Sequence, residues 1–350
     1  MSSLANLLRH FFPSSPSFGY ETLRAAGCAT KVGADIAEVI AICSRIKSDN
    51  ESCLQEWKAA ADRADAYLCP SNYCRIAEFY RRNNSFEDSV SKSLADLNTQ
   101  TFYSAMDLMP HITEGVGIPY ETPHRSKTPR PTIISNGNFS SAREVLGYAV
   151  ATSALERSFI ALTFDGRGKG RLYANSDYSS DRTGGRTRRQ DKGCDPWPLV
   201  LGRVYLVGRA AAFELRAPAI IFIYGVYVDT AFRKKTPALG KFFIRAGWDG
   251  NMNAIMRLLV SLNTSFKWGI SNGMYSFLDV LRIVEGYTLE VLVDKIKTPI
   301  LVLDAPDDQF SKGKPRELFG RLECGKEFVE ISVHDGAGSH CHRGSGARLI

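Results

Sequence analysis

The sequence predicts an α/β fold, a mostly parallel sheet flanked by helices, preceded by an all-helical segment. From about Tyr20 to Asn98, apolar residues repeat every three to four positions, which is the period of an amphipathic helix. Beyond residue 113 they instead form short, nearly continuous runs, typical of strands buried on both faces of a parallel sheet. We therefore expect a helical lid domain over residues 1–112 and an α/β core over residues 113–350.

The helical segment divides into four predicted helices. Asn50 is the expected N-cap of the second helix, because its side chain can accept a hydrogen bond from the first turn. The predicted ranges are Gly33–Ser48, Glu51–Leu68, Ser71–Arg82 and Phe86–Leu97.

Five apolar runs in the second part are the predicted strands. They are Thr132–Ser135, Phe159–Asp165, Pro218–Gly225, Pro299–Ala305 and Phe328–Val333. A predicted helix over Arg143–Ser158 separates the first two, so they form a βαβ unit. Residues 251–297 are predicted to be a mostly helical cap over the site.

The net charge of +7 is concentrated in one segment. Between Arg167 and Lys192 there are eight basic residues against three acidic ones, with Tyr173 and Tyr178 as the only aromatic residues. Because no nucleic-acid module surrounds it, a solvated loop is favoured over a phosphate-binding surface. We therefore predict no nucleic-acid partner, with salt-dependent binding as the test of that alternative.

Cysteine usage and hydropathy bear on location. The eight cysteines show no C-x-x-C pair or regular spacing, which indicates reduced thiols. No run approaches the roughly 18 apolar residues of a membrane span. We expect a cytoplasmic protein with no membrane partner, and a homodimer is left open.

The adjacent residues His340, Cys341 and His342 are poorly spaced for one metal ion, so no metal or other cofactor is predicted.

An acid and a histidine follow two late predicted strands. The strand ending at Ala305 leads into Asp307 and Asp308, and the last strand leads towards His340. In open α/β sheets, functional residues collect at the carboxyl ends of the strands. In the usual acid loop, a small residue is followed by two positions and then by the acid. Counted from Ala305, this spacing selects Asp308, and Asp307 is the alternative. The predicted role of the acid is to orient the imidazole of His340 and stabilise its protonated form.

Two further loops supply candidate site residues. Asn138 and Phe139 follow the first predicted strand, where a backbone N–H can stabilise an oxyanion. Tyr227 and Asp229 follow another strand and are candidates to line a substrate pocket, with a structural turn as the alternative.

Several motifs carry a resemblance to a known family. They are TFDGRGKGR, GRAAAFE, GVYVD, YTLEVLVDKIKTPILVLDAPDDQF and GAGSHCH in the second part, and FGYETLRAAG, GADIAEV and SNYCRIAEFY in the first. With these the chain resembles the fungal pigment-biosynthesis α/β-hydrolases, relatives of the bacterial 2,6-dihydroxypseudooxynicotine hydrolase. The resemblance implies an α/β-hydrolase fold with a helical lid. It also implies hydrolysis of a carbon–carbon bond beside a ketone, or of an ester, in polyketide-type small molecules of fungal secondary metabolism, including pigments and cytochalasin-like compounds.

The chain departs from the family at the nucleophile. The family motif G-x-S-F-G-G-Y-L corresponds here to a stretch with Gly202, Arg203, Val204 and Tyr205, and no serine lies between Ser180 and Ser261. The expected nucleophile position, near Arg203–Val204, therefore has no serine. The sequence predicts a protein inactive as written, and the alternative is a non-catalytic or decayed relative that acts as a binding protein or has no function.

A shifted reading frame explains a second departure. Codons for Ser180 to Gly184 permit Arg-Pro-Asp-Trp when read from the third base, and this is the motif that the family carries after its D-G-x-G-x-G-R. The hypothesis is that the stretch Leu172–Gln190 is frameshifted or mis-spliced, and we expect it to be irregular and exposed. The family also has an additional helical stretch in the lid and a final helix beyond the position of Ile350, so the copy is interpreted as truncated.

Overall fold

The computed structural model describes a helical part and an α/β part. The described residues are 11–13, 15–64, 67–79, 88–108, 113–115, 118–120, 130–137, 143–164, 198–202, 204–223, 288–308, 312–332, 335 and 338.

Among the residues that the structure describes, five α-helices form the helical part. They are α1 (Pro16–Ala26), α2 (Ile36–Arg45), α3 (Asn50–Arg63), α4 (Leu68–Phe79) and α5 (Ser89–Asp107), with a 3-10 turn over Gly27–Lys31 after α1. Aspartates begin three of them: Asp35 accepts from Glu38 N–H at 2.9 Å, and Asp49 and Asp88 cap α3 and α5 in the same way. Each side chain thereby satisfies an N–H that has no partner inside its helix.

The predicted helix positions need corrections: none of the four predicted ranges includes α1, and α2 spans Ile36–Arg45 and not Gly33–Ser48. The N-cap of α3 is Asp49, whose carboxylate accepts from Ser52 N–H at 2.7 Å, and Asn50 is the first helical residue. The second predicted helix ends at Arg63, and α4 begins at Leu68. The fourth, α5, runs on to Asp107 because the apolar positions Phe102 and Ala105 continue its buried face.

The strands among the described residues of the α/β part form one eight-stranded sheet. Its strands are β1 (Thr113–Gly115), β2 (Ile118–Tyr120), β3 (Thr132–Asn136), β4 (Ile160–Phe164), β5 (Pro198–Gly202), β6 (Ile220–Phe222), β7 (Ile300–Asp304) and β8 (Lys326–Glu330). Their spatial order is β1-β2-β4-β3-β5-β6-β7-β8. The β1–β2 and β2–β4 pairs are antiparallel, and all others are parallel. Sequence patterns missed β1, β2 and β5.

Helices cover both faces of the sheet. The crossover between β3 and β4 consists of α6 (Arg143–Leu146), a π-helical turn (Gly147–Ala151) and α7 (Thr152–Glu156). It packs Leu146 and Val150 against Ile133 on one face. On the other face, α8 (Val204–Ala211) and α9 (Lys314–Arg321) pack against β6 and β7.

The π-helical turn contributes to the contact between the two parts, as does the ion pair of Lys31 with Glu156. The hydroxyl of Tyr148 donates to the carbonyl of Leu68 in α4 at 2.8 Å, and its ring meets Phe102 of α5 edge-on at 5.7 Å between centroids. A Cβ on Gly33 would lie 2.7 Å from the Tyr148 ring, so this position has no room for a side chain. A single π-helical turn inside an α-helix is rare and frequently lies at a functional site, and here it coincides with the seam between the helical part and the sheet.

The predicted cap region over residues 251–297 is described only at its end. Residues 288–297 contain a bridge at Thr288 and a 3-10 turn over Val293–Lys295. The mostly helical cap over residues 251–297 therefore stays a prediction. Residues 251–287 and the basic stretch Leu172–Gln190 lie outside the described residues.

Candidate functional site

The turn after β5 lies at the middle of the sheet. Gly202 ends β5 and is paired with Asn136 of β3 on one side and Phe222 of β6 on the other. Helix α8 begins at Val204, so a single residue, Arg203, separates strand from helix. A sharp strand-to-helix turn at the carboxyl edge is where α/β-hydrolases present their nucleophile. The strand thus ends at Gly202 and the helix begins at Val204, and the sequence has no serine between them.

Helix α8 packs closely behind this turn. A Cβ on Gly208 would lie 2.8 Å from Cδ1 of Leu289, which is itself fully buried. Val207 and Ala211 are buried in the same cluster, against the sheet. The position of the turn is thus fixed by apolar packing along the length of the helix.

The acid loop follows β7 directly. Its backbone closes a turn in which Asp308 N–H donates to the carbonyl of Ala305 at 2.9 Å. The Asp308 side chain is buried, with 3% of its surface exposed, whereas Asp307 is exposed. Of the two adjacent acids, Asp308 is therefore the one directed into the protein.

Two backbone hydrogen bonds join the acid loop to the loop after β8. Ile331 N–H donates to the carbonyl of Asp304 at 2.9 Å, and Asp307 N–H donates to the carbonyl of Gly338 at 3.1 Å. Gly338 lies two residues before His340 in the chain. The backbone at Gly338 therefore lies beside the acid loop.

Several predicted site residues lie outside the described part of the chain. They are Arg203, Asn138, Phe139, Tyr227, Asp229 and His340. The structure places Asp307, Asp308 and the backbone of Val204 at the carboxyl edge, and the roles of all the predicted site residues stay predictions.

Three buried polar residues at the carboxyl edge were missed from the sequence. Ser135 and Asn136 end β3, and Asp304 ends β7. Within the described residues, Ser135 Oγ, Asn136 Oδ1 and Asp304 Oδ1 are buried without a hydrogen-bond partner. The available signal was that each of these two apolar strands ends in polar residues.

The electrostatics of the acid loop differ between its carboxyls. Burial raises the pKa of Asp304, and the nearby carboxylates of Glu330 and Asp308 act in the same direction. The Arg316 guanidinium and the Ala305 backbone N–H oppose them. The net effect favours the protonated form of Asp304 relative to an ordinary aspartate.

Metal-binding clusters and membrane-spanning helices are both absent from the described residues. No group of three or more histidine, cysteine, aspartate or glutamate side chains there is arranged to hold a metal ion. No helix of the described residues is long and apolar enough to cross a membrane.

Known fungal proteins align with most of this chain. Hydrolase LUC6 from a Fusarium species is 28% identical over 86% of this chain and 84% of its own length. The 20-hydroxy-prefusarin hydrolase FUS2 of Gibberella moniliformis is 25% identical over 84% of this chain and 83% of its own, and hydrolyase ccsE of Aspergillus clavatus is 26% identical over 85% and 84%. No family model matches. The chain is a homologue of these fungal hydrolases.

Solved structures agree with the fold of this hydrolase homologue. The 2,6-dihydroxy-pseudo-oxynicotine hydrolase superposes with a TM-score of 0.55 at 17% identity and covers 92% of both chains. The protein AbyA5 gives a TM-score of 0.56 at 16% identity, over 87% of this chain and 86% of its own. The predicted α/β-hydrolase fold with helices at its N-terminal end is therefore confirmed.

Proposed function

We propose that this homologue has the small-molecule site of a fungal secondary-metabolism hydrolase, and that as written it lacks serine-dependent hydrolysis. The observation that carries the proposal is the turn after β5. Gly202 and Val204 bound it at the centre of the sheet, and the residue between them is arginine. A guanidinium has no nucleophilic electron pair at neutral pH, because arginine stays protonated.

The acid and the histidine keep their place in this proposal. Asp308 orients the imidazole of His340 and stabilises its charged form, as the acid of a triad does. Support comes from the burial of Asp308 and from the hydrogen bond between Asp307 N–H and the carbonyl of Gly338, a residue two positions before His340 in the sequence.

In a chain with the serine restored, the reaction is acyl transfer. The serine hydroxyl attacks the substrate carbonyl while His340 takes its proton, and the backbone near Asn138 and Phe139 stabilises the oxyanion. His340 then returns the proton to the leaving group, an alkoxide for an ester or a carbanion for a carbon–carbon bond beside a ketone. Water completes the cycle. Tyr227 and Asp229 line the pocket for a polyketide-type substrate, and no cofactor takes part.

The names of the relatives support this reaction class, and the missing serine supports the second candidate. That candidate is a non-catalytic relative that binds the same class of small molecule. The frameshift hypothesis connects the two, because a corrected reading frame through residues 171–210 would supply a family-like turn. Sequencing genomic DNA and transcript across this region tests it directly.

The test of function compares four proteins in the hydrolysis of p-nitrophenyl acetate. They are the chain as written, its His340→Ala variant, a chain in which a family-like segment with Ser-Phe-Gly-Gly before Tyr-Leu replaces Leu172–Val207, and that chain with His340→Ala. We expect hydrolysis that depends on His340 only in the restored chain, because loss of a nucleophile costs on the order of 10⁶ in kcat. Activity in the chain as written that is lost with His340→Ala would contradict the proposal.

A further inference from the structure

Three apolar side chains are exposed at the amino edge of the sheet. Phe213 and Leu215 lie between α8 and β6, and Val291 lies in the turn before β7. Their exposed fractions are 63%, 69% and 73%. Because β6 and β7 are parallel and begin after these residues, the three side chains lie at the opposite end of the strands from the acid loop. Exposed apolar side chains that lie together mark an interaction surface.

Lys295 joins the two segments that carry these side chains. Its Nζ lies 5.6 Å from the centroid of the Phe213 ring. The stretch Leu289–Ile296 buries its other residues in the apolar cluster that α8 shares. The exposed positions of this stretch are Glu290, Val291, Asp294 and Lys295. Val291 is therefore on the same exposed side as the lysine that contacts Phe213.

Charged residues of both signs surround the three apolar side chains. Arg209, four residues before Phe213, places its guanidinium carbon 5.7 Å from the centroid of the same ring. The cations of this surface are therefore Arg209 and Lys295, and its acids are Glu290 and Asp294. In the part of the chain that the structure describes, none of these four side chains forms an ion pair. We call the three apolar and four charged residues the Phe213 patch.

The presence of both signs of charge distinguishes the partners that could cover the Phe213 patch. An anionic membrane surface or an acidic peptide would attract the two cations but repel the two acids. A second copy of this chain, related by a two-fold axis, presents the patch to itself, so that the acids of each copy meet the cations of the other. The apolar side chains then form the centre of the contact and the charges form its rim.

We propose that the Phe213 patch is the interface of a two-fold symmetric homodimer. Phe213 is its central contact, and because its ring already contacts two cations, it loses little freedom on association. The unpaired acids of one copy are neutralised by the unpaired cations of the other. The patch lies at the amino edge, so the dimer leaves the carboxyl edge of each copy open and does not depend on the proposed function.

The first measurement is sedimentation velocity of the full chain over a range of protein concentrations. The chain as written should be a dimer in reversible equilibrium with the monomer. Phe213→Asp should raise the dissociation constant about 30-fold or more, as expected for the central aromatic residue of an interface. Leu108→Asp is the matched control, because Leu108 is 73% exposed at the end of α5, in the helical part, and it should leave the dissociation constant unchanged.

The second measurement reverses the charges of the patch. Arg209→Glu with Lys295→Glu makes the patch wholly acidic, and Glu290→Lys with Asp294→Lys makes it wholly basic. Each double variant should be a monomer, because its patch repels a second copy of itself. An equal mixture of the two variants should form a heterodimer, because the acidic patch then faces the basic one.

Several outcomes overturn the homodimer. They are a monomeric chain as written, a dimer that persists in Phe213→Asp, and a mixture of the two charge variants that stays monomeric. Loss of the dimer in Leu108→Asp also overturns it, since the effect would not belong to the patch. If the chain is instead a monomer that cosediments with phosphatidylserine vesicles, and Phe213→Asp does not, the patch is a membrane contact and the proposal is wrong.

Folding and function are checked separately. Phe213→Ser takes the place of Phe213→Asp, with the same expectation, if circular dichroism shows that the aspartate variant does not fold. Ester hydrolysis by the chain with a restored serine tests the proposed function alone, so that a failure of one proposal is distinguishable from a failure of the other.

Discussion

The backbone N–H of Asp307 donates to the carbonyl of Gly338 at 3.1 Å, and this bond ties the loop after β7 to the loop after β8. Asp307 contributes its backbone to the contact while its side chain is exposed, and the neighbouring Asp308 side chain is buried. The two adjacent acids therefore have different surroundings, and substitutions should separate them.

The first prediction concerns these two carboxyls in the chain with a restored serine. Asp308→Asn should lower kcat for p-nitrophenyl acetate by about 10⁴, because an amide in place of the triad acid favours the wrong imidazole tautomer. Asp307→Asn keeps the backbone N–H that binds Gly338 and should change kcat only a few-fold. Steady-state kinetics at pH 7 measure both, and a larger loss in Asp307→Asn would transfer the acid role to that residue.

The sequence predicted the sheet best where strands are buried on both faces. Strand β7 was expected over Pro299–Ala305 and observed over Ile300–Asp304, because its apolar run has clear ends. Strand β8 was displaced by about two residues, since this edge strand is largely exposed and includes Lys326 and Glu327. The pattern of apolar residues does not define the ends of a strand that has little contact with the core.

Short-range chemistry was harder to assign. Asp49 and Asn50 are both good N-cap residues, and only the contact of Asp49 with Ser52 N–H distinguishes them. Asp304 was missed because an acid at the end of an apolar run has the same appearance as the first residue of a solvated loop. Asp304 is buried because α9 and β8 pack beside the end of β7, and the residues next to Asp304 in the sequence do not reveal this packing.

The second prediction compares two helical glycines. Gly208→Ala should lower the free energy of unfolding by about 1–3 kcal/mol, because its Cβ would lie 2.8 Å from Leu289 in a packed cluster. Gly320→Ala in α9 has open space within 4 Å and should raise it by about 0.5–1 kcal/mol through helix propensity. Urea denaturation measures both, and stabilisation of the Gly208 variant would show that α8 can move away from Leu289.

The third prediction tests the seam between the helical part and the sheet. Tyr148→Phe keeps the ring contact with Phe102 and removes the hydroxyl that donates to Leu68, so it should cost about 0.5–1.5 kcal/mol of stability. Tyr67→Phe removes a hydroxyl from an exposed tyrosine just before α4 and should have little effect. Equal effects of the two variants in urea denaturation would remove the special role of the Tyr148 hydroxyl.

The last prediction concerns a buried ion network inside the helical part. Glu21 lies 3.1 Å from Nη1 of Arg24 and 2.8 Å from Nη1 of Arg75, and all three side chains are buried. Burial alone would raise the pKa of Glu21, but the two guanidinium groups and their hydrogen bonds outweigh it and hold the pKa below its ordinary value.

The sign of the pH dependence follows from that lowered pKa. The folded state binds a proton at Glu21 less readily than the unfolded chain, whose glutamate has a pKa of about 4.3. This contribution to stability is complete above the unfolded value and is lost as the pH falls through the folded value. Urea denaturation between pH 7 and pH 3 should therefore show an acid-side loss of stability that Glu21→Gln reduces.

At neutral pH, Glu21→Gln should cost about 3–5 kcal/mol, because it leaves Arg24 and Arg75 buried against a neutral amide. Glu214→Gln is the control: its ion pair with Arg216 is at the surface, and such pairs contribute about 0–1 kcal/mol. If the Glu21 variant were as stable as the Glu214 variant at pH 7, the two guanidinium groups would have another source of compensation. In that case the loss of stability between pH 7 and pH 3 should also persist in Glu21→Gln. The free energy of unfolding at pH 7 and its dependence on pH therefore check each other.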